Sequence, residues 1–263
     1  MGNRTRQLNK WFQTALGERL LSEEAGILQQ ILPHLFGYHL LQISNLGHGT
    51  LLESSRIMHR CVLSHSHANT ICQPYSSVYA LADTLPFAHD SLDVVVLPHV
   101  LEFEEHPHEI LREVERVLIA EGHVVILAFN PVSLWGIWRW FARRDEAPWC
   151  GHFLPLLRLK DWLALLGFDL KKVDSFFFAL PFQNDRFKNY TQFLGTLGTR
   201  WMDNFGAVYV VVAKKRVARI TPIKPKWLTK PQLVTEAVGT NFKEHSNANI
   251  DLKNESRPLF LNH

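Results

Sequence analysis

Two short, almost entirely apolar segments on either side of a helix-like segment constrain the fold more than any other feature. Residues 92–97 (LDVVVL) and 123–129 (HVVILAF) are rich in β-branched and large apolar residues, as expected for strands that are buried on both faces. Between them, residues 107–118 begin at a proline and place apolar side chains at helical spacing. This alternation indicates a parallel sheet that is covered by helices.

The same alternation continues in both directions along the chain. Further strands are predicted at 38–44, 60–64, 77–82, 168–178 and 207–213. Further helices are predicted from Leu8 to Leu16 and at about 22–35, 133–143, 158–166 and 187–203. The sequence therefore predicts a mainly parallel, doubly wound α/β sheet.

Three regions are predicted from these patterns. Residues 1–36 form an N-terminal helical lead, and residues 37–215 form the α/β domain, in which 129–157 is an insert after the fifth strand. Residues 216–263 lose apolar periodicity and are predicted to be a disordered basic tail. The basic stretch 214–230 has no acid and could contact RNA or anionic lipid, although a solvated tail is the commoner outcome for such a segment.

Net charge and cysteine content limit the classes of partner and the cellular compartment that the sequence predicts. The net charge of +3 gives no strong signal for nucleic acid. The three cysteines form no CxxC pair and the N-terminus lacks an apolar signal core, so a cytoplasmic protein is predicted. His65 and His67, with Cys61 and Cys72 nearby, match no known zinc spacing, so no metal site is predicted.

Residues 81–127 carry a resemblance to a known family. The matching marks are LPF at 85–87, Ser91 with Asp93 to Val95, Leu101, and Glu113 with Arg116, Val117, Leu118 and Gly122. At this spacing the segment resembles the class I S-adenosylmethionine-dependent methyltransferases, most closely the type 11 group that includes quinone-biosynthesis methyltransferases. The resemblance implies S-adenosylmethionine as cofactor and a class I methyltransferase-like sheet whose last strand, near 207–213, is antiparallel.

The first cofactor motif of that family departs from its pattern here. The family has acid–apolar–Gly–x–Gly–x–Gly, and on this chain the acid falls on Gln42 and the first glycine on Ser44, while the other two fall on Leu46 and His48. Gly47 and Gly49 stand one residue out of phase. The resemblance makes Gln42, Ser44, Gly47 and Gly49 the candidates for binding the methionine part of the cofactor.

The ribose acid of the family is also missing. No Asp or Glu occurs between Glu53 and Asp83, so Ser64 takes the position at the end of the second strand. Asp83 is the candidate near the adenine, with a solvated turn carboxylate as the alternative, and the resemblance adds Leu85, Pro98 and His99 to the cofactor-binding set. Since several hydrogen-bonded contacts are lost, the sequence predicts weak cofactor binding.

The loop after residues 92–97 supplies the catalytic candidates. His99 and Glu102 lie at the sheet edge where ligands bind in open α/β sheets, and His99 could act as a general base near neutral pH. The alternative is a histidine that caps a turn or packs in the core.

The acceptor candidates lie in the 129–157 insert and are Asn130, Trp135 and Trp138. Helical spacing predicts that Leu134, Ile137, Trp138 and Phe141 face the protein or an apolar ligand, while Arg143 and Arg144 stay exposed. Such a helix covers a hydrophobic acceptor, packs on its own domain, or makes peripheral contact with a membrane. The predicted function is methyl transfer to a small or amphipathic acceptor. The alternative is a catalytically inactive, methyltransferase-like binding module.

Overall fold

A computed structural model describes residues 2–44, 49–64, 75–141, 146–178 and 206–216, and these contain a seven-stranded sheet. The strands are β1 (His39–Ile43), β2 (His59–Ser64), β3 (Ser76–Tyr79), β4 (Leu92–Pro98), β5 (Leu118–Phe129), β6 (Phe168–Phe176) and β7 (Val208–Lys215). Their order is β3-β2-β1-β4-β5-β7-β6. β7 is antiparallel to β5 and β6, and the other pairings are parallel. The predicted sheet and its reversed last strand are confirmed.

Helices cover both faces of this sheet. They are α1 (Gly2–Phe12), α2 (Ala15–Ile31), α3 (Pro107–Val117), α4 (Leu134–Phe141) and α5 (Leu156–Leu165), with short 3-10 helices at Leu32–His34 and Gly49–Leu52. The apolar side chains of α1 and α2 share one hydrophobic core with one face of the strands, and those of α3 and α5 share a second core with the other face. The predicted helix near 187–203 and the tail from 217 lie outside the described residues.

The N-terminal helices form a tight hairpin, and the prediction of one helix from Leu8 to Leu16 is wrong. The chain turns at Thr14, whose hydroxyl donates to the Trp11 carbonyl at 2.6 Å and accepts from the Gly17 amide at 3.3 Å. A threonine at this position satisfies backbone groups at both helix ends, and this favours two helices over one continuous helix.

The close approach at this turn makes Gly17 a sensitive position. A Cβ atom on Gly17 would overlap the Trp11 carbonyl oxygen and lie 2.5 Å from Phe12 Cα. We expect Gly17→Ala to lower the free energy of unfolding by about 1–3 kcal/mol, because backbone atoms must shift to admit the methyl group. Urea denaturation measures this effect. Gly26→Ala on the same helix is the matched control, since its Cβ would meet no atom within 4 Å. Equal effects of the two substitutions would contradict the explanation.

Hydrogen bonds join several of the residues that carry the family resemblance. Arg116 donates to both carboxylate oxygens of Glu113 and to the carbonyls of Leu85 and Phe87, at distances of 2.9–3.0 Å. Glu113 also accepts from the Leu85 amide at 3.0 Å. This pair therefore fixes the LPF turn on α3. Both side chains are partly exposed to solvent, so the ion pair adds little to stability. Its main effect is to hold the turn in position.

Candidate active site

The carboxyl ends of four neighbouring strands bring the predicted site residues to one edge of the sheet. Ser44 and Ser64 directly follow the paired residues Ile43 and Leu63, and both serines are buried. His99 follows β4, where its amide continues the pairing by donating to Leu127 at 2.9 Å, and Asn130 follows β5. This is the edge at which open α/β sheets bind ligands.

The remaining cofactor candidates lie around this edge or within the sheet. Gln42 is fully buried inside β1, opposite Val62 and Val96 on the neighbouring strands. Gly49 begins a 3-10 helix, whereas Gly47 lies outside the described residues. Leu85 is buried in the turn after β3, and Asp83 is half-buried beside it.

Two cavities lined by described residues lie away from this edge. One, of about 320 Å³, lies at the amino ends of β1 and β2, and the other, of about 500 Å³, lies between α3 and α5. The predicted cofactor cleft includes residues 45–48, which lie outside the described part of the chain. Its shape therefore stays a prediction.

The clearest feature of the edge is a buried ionic cluster centred on His99. His99 Nε2 lies 2.6 Å from Glu24 Oε1 of α2, and His99 Nδ1 lies 3.2 Å from Glu102 Oε1. Glu102 Oε1 also accepts from the Phe129 amide at 2.7 Å. The side chains of His99, Glu24 and Glu102 are all 0% exposed. The backbone of His99 is left-handed, with φ of 50°, which non-glycine residues seldom adopt.

This cluster keeps the imidazole ring charged. Burial by itself lowers the pKa of His99, but the charge of Glu24 and the hydrogen bonds to Glu102 and Glu24 outweigh it and raise the pKa from 6.5 to about 10. Both ring nitrogens are occupied and the ring is protonated at neutral pH. The expectation that His99 acts as a general base near neutral pH does not fit this geometry, and a packed, ion-paired histidine does.

A pH dependence of stability follows from the same pKa. Since folding raises the pKa of His99, the stabilisation is fully present below about pH 6.5 and is lost as the pH rises toward 10. We expect the free energy of unfolding to fall between pH 6.5 and 9 in urea titrations. Glu24→Gln should flatten this slope, and Glu23→Gln, at a half-exposed position of α2, should leave it unchanged. A slope that is the same in all three proteins would contradict the assignment to His99.

Sequence reasoning missed Glu24, although the pattern contained a signal. Leu20, Glu24, Leu28 and Ile31 recur at helical spacing and are all buried, so the acid interrupts an apolar stripe. A charged residue in such a stripe needs a buried partner. The partner, His99, is 75 residues away, and sequence spacing cannot identify it.

The predicted acceptor residues lie at the same edge of the sheet, and two of the three are buried. Asn130 donates to the Gly206 carbonyl and accepts from the Val132 amide, both at 3.0 Å. Trp135 is fully buried and stacks near Phe129, with ring centroids 5.9 Å apart. Trp138 is half-buried. Their role in acceptor binding stays a prediction.

The prediction that the apolar residues of α4 face the protein is wrong for two of them, and the alternative that they face an apolar ligand stays a prediction. Leu134 is 50% exposed and Ile137 is 57% exposed. The helix instead buries the face of Trp135 and packs the Arg139 guanidinium 5.1 Å from the Phe153 ring centroid. A buried indole removes more apolar surface from water than Leu134 would, and this favours the observed face. Nothing is described for the Phe141 side chain or for Arg143 and Arg144.

Two further features of the described residues bear on the site. They contain no group of three or more His, Cys, Asp or Glu residues arranged to hold a metal ion. None of their helices combines the length and the apolar character needed to cross a membrane.

Comparison with known proteins identifies the class to which this fold belongs. A family model described as a methyltransferase domain matches residues 37–126, which contain β1 to β4, α3 and most of β5. Together with the observed strand order, this match shows that the chain contains a methyltransferase domain with the class I S-adenosylmethionine-dependent methyltransferase fold. The chain belongs to the same family as YafS of Escherichia coli K12, described as uncharacterized, to which it is 32% identical over 237 residues. That match covers 89% of this chain and 83% of YafS.

Solved structures show the same fold at low identity. A Thermotoga maritima protein, described as an S-adenosylmethionine-dependent methyltransferase and possible histamine N-methyltransferase, has a TM-score of 0.61 and 16% identity. The match covers 79% of this chain and 93% of that chain. An Archaeoglobus fulgidus S-adenosylmethionine-dependent methyltransferase has a TM-score of 0.53 and 20% identity, covering 73% and 92%. At these identities the likeness concerns the fold alone.

Proposed function

We propose that this chain transfers a methyl group from S-adenosylmethionine to a small or amphipathic acceptor at the carboxyl edge of its sheet. The observation that carries the proposal is the convergence of Ser44, Ser64, His99 and Asn130 at that edge in a methyltransferase fold. When bound, the cofactor supplies an electrophilic methyl group. The enzyme's contribution is to align the two reactants and exclude water.

The residues present fit this cofactor in part. In this proposal the Ser64 hydroxyl would accept from the ribose, and the backbone near Ser44 and Gly49 would hold the methionine part. Asp83 and Leu85 would border the adenine, and Pro98 and His99 would lie toward the reacting end. A serine offers one neutral acceptor where the family has a carboxylate, so the hydrogen bonds to the ribose are weaker.

The proposed roles of His99 and Glu102 differ from proton transfer. His99 is held between two carboxylates, and Glu102 also fixes the Phe129 amide, so the pair forms a rigid, charged wall at the end of β4 and β5. Asn130 and Trp135 would shape the side from which an acceptor approaches. In this proposal the acceptor brings a nucleophile that is already reactive, and the enzyme aligns it.

A transfer assay with mixtures of small molecules tests the proposal and searches for the acceptor at the same time. Purified protein is incubated with methyl-tritiated S-adenosylmethionine and with aqueous and organic-soluble small-molecule extracts, with excess S-adenosylhomocysteine as the competing control. We expect label to appear in a small-molecule fraction and to be suppressed by the competitor. Binding of the cofactor without transfer to any fraction would favour the inactive binding module, for which the comparisons offer no support.

A further inference from the structure

Two histidine side chains lie next to each other at the amino edge of the sheet, opposite to the candidate active site. His39 begins β1 and His59 begins β2, and the two residues are paired directly in the parallel register. Their side chains therefore share one face of the sheet. The centroids of the two imidazole rings lie 5.2 Å apart, and the ring planes are tilted by 31°. Imidazole nitrogens suit zinc, copper and nickel ions as ligands, so the pair is a candidate for metal binding.

The separation of the two rings fits two ligands of one ion. A zinc–imidazole bond is about 2.0–2.1 Å long, so two imidazoles that share a tetrahedral zinc ion have ring centroids about 5 Å apart. The observed 5.2 Å agrees with this value. Neither ring makes a hydrogen bond or an ion pair with another described residue, so the ring nitrogens are accessible to a ligand.

Backbone hydrogen bonds hold both histidines in place. The amides of Tyr38 and His39 each donate to Asp93 Oδ2 at 2.9 Å, and this ties the start of β1 to β4. The His59 amide donates to the Tyr38 carbonyl at 3.3 Å. Ligands on strands that are fixed in this way lose little freedom when an ion binds, and this favours binding.

Both rings line the cavity of about 320 Å³ at the amino ends of β1 and β2. Residues 86–88 also line it, at the end of the LPF turn that Arg116 holds in position. Ser76 and Ser91 add polar side chains to the lining, and these suit bound water. The pair therefore borders a partly polar space of defined shape rather than a flat surface.

We propose that His39 and His59 bind one transition-metal ion, zinc, nickel or copper, with water molecules in the remaining coordination positions. Two protein ligands are consistent with the absence, among the described residues, of a group of three or more metal-binding side chains. The ion links the first residues of two neighbouring strands, so it stabilises the folded chain when it is bound. The site lies at the opposite end of the strands from the cofactor edge and does not depend on the proposed function.

Calorimetric titration of the full chain with Zn²⁺ at pH 7 tests the site. We expect one tightly bound ion per chain, with an affinity that falls by about tenfold or more in His39→Asn and in His59→Asn, because loss of a ligand costs at least as much as loss of its outer-shell partner. His34→Asn is the matched control, because it removes another exposed histidine just before β1 and should leave the affinity unchanged. Unchanged affinity in both site variants would overturn the proposal, since the ion would then be bound elsewhere.

The preference among ions tests the chemistry of the site. Imidazole ligands bind Ni²⁺ more tightly than Co²⁺, whereas Mg²⁺ prefers oxygen ligands. We expect the wild-type protein to follow this order, with no measurable binding of Mg²⁺. Binding of Mg²⁺ as tight as that of Ni²⁺ would contradict the assignment, because it would indicate oxygen ligands.

A thiol in the same cavity reports where the ion binds. Cys61 follows His59 by two positions on β2 and lines the cavity with it, whereas Cys150, also half-buried, does not line it. We expect Zn²⁺ to slow alkylation of Cys61 by about threefold or more, because the ion and its water molecules restrict access to the thiol, and to leave Cys150 unchanged. A Cys61 rate that Zn²⁺ does not change would place the ion outside this cavity and overturn the proposal. This measurement uses the wild-type protein, so it decides the point even if a variant fails to fold.

Discussion

Replacing His99 with asparagine is expected to lower the free energy of unfolding by about 3–5 kcal/mol, because the change removes the cation between two fully buried carboxylates. Asparagine tolerates the left-handed backbone of His99, so the loss reports on the charge cluster rather than on backbone strain. Adding Glu24→Gln to the same protein should recover part of the loss, since one uncompensated negative charge is removed.

Urea denaturation at pH 7 measures these changes. His89→Asn is the matched control, because the His89 side chain is 67% exposed and its Nδ1 lies 3.7 Å from Asp90 Oδ2. We expect no measurable effect from that control. A loss below about 1 kcal/mol for His99→Asn would mean that the cluster contributes little and that the charges are relieved in another way.

The second large effect concerns the cofactor site. Ser64→Asp combined with Leu46→Gly is expected to tighten S-adenosylmethionine binding by about 100-fold or more, which corresponds to roughly 3 kcal/mol. The aspartate restores a charge-assisted acceptor for the ribose hydroxyls, and the glycine removes bulk from the loop that the family resemblance places against the methionine part. Ser64 is buried beside Ser44 at the end of β2, and Leu46 lies outside the described residues.

Calorimetric titration of the double variant checks this expectation. Ser77→Asp is the matched control, because it adds the same charge at an exposed position on β3. The control should bind the cofactor like the wild type. If the double variant gained no affinity, these two positions would not be the cause of weak binding.

Most of the sheet could be predicted because buried strands have a local signature. The apolar runs at 92–97 and 123–129 and the late pair of strands are recognisable from a few neighbouring residues, and the family resemblance supplied the antiparallel last strand. The break at Thr14 was missed because the apolar spacing from Leu8 to Leu16 continues across it. The Thr14 hydroxyl bonds to backbone groups at both helix ends, and this favours a break over one continuous helix.

The candidate site was less predictable because its central contact is not local. His99 and Glu102 could be placed on one loop from the sequence, but Glu24 comes from a helix far away in the chain. The orientation of α4 failed for a related reason. Its amphipathic pattern fits two neighbouring faces, and the aromatic surface that selects the face of Trp135 is built from several separate segments.

The most direct test of the central claim is calorimetric titration of the wild-type protein with S-adenosylmethionine and S-adenosylhomocysteine. The methyltransferase domain and the candidate site residues at the carboxyl ends of its strands predict that both ligands bind. The missing ribose acid and the out-of-phase glycines predict a Kd on the order of tens of micromolar or weaker. Submicromolar binding would contradict the account of a weakened site, and absence of binding by both the wild type and the Ser64→Asp, Leu46→Gly variant would contradict the methyltransferase function itself.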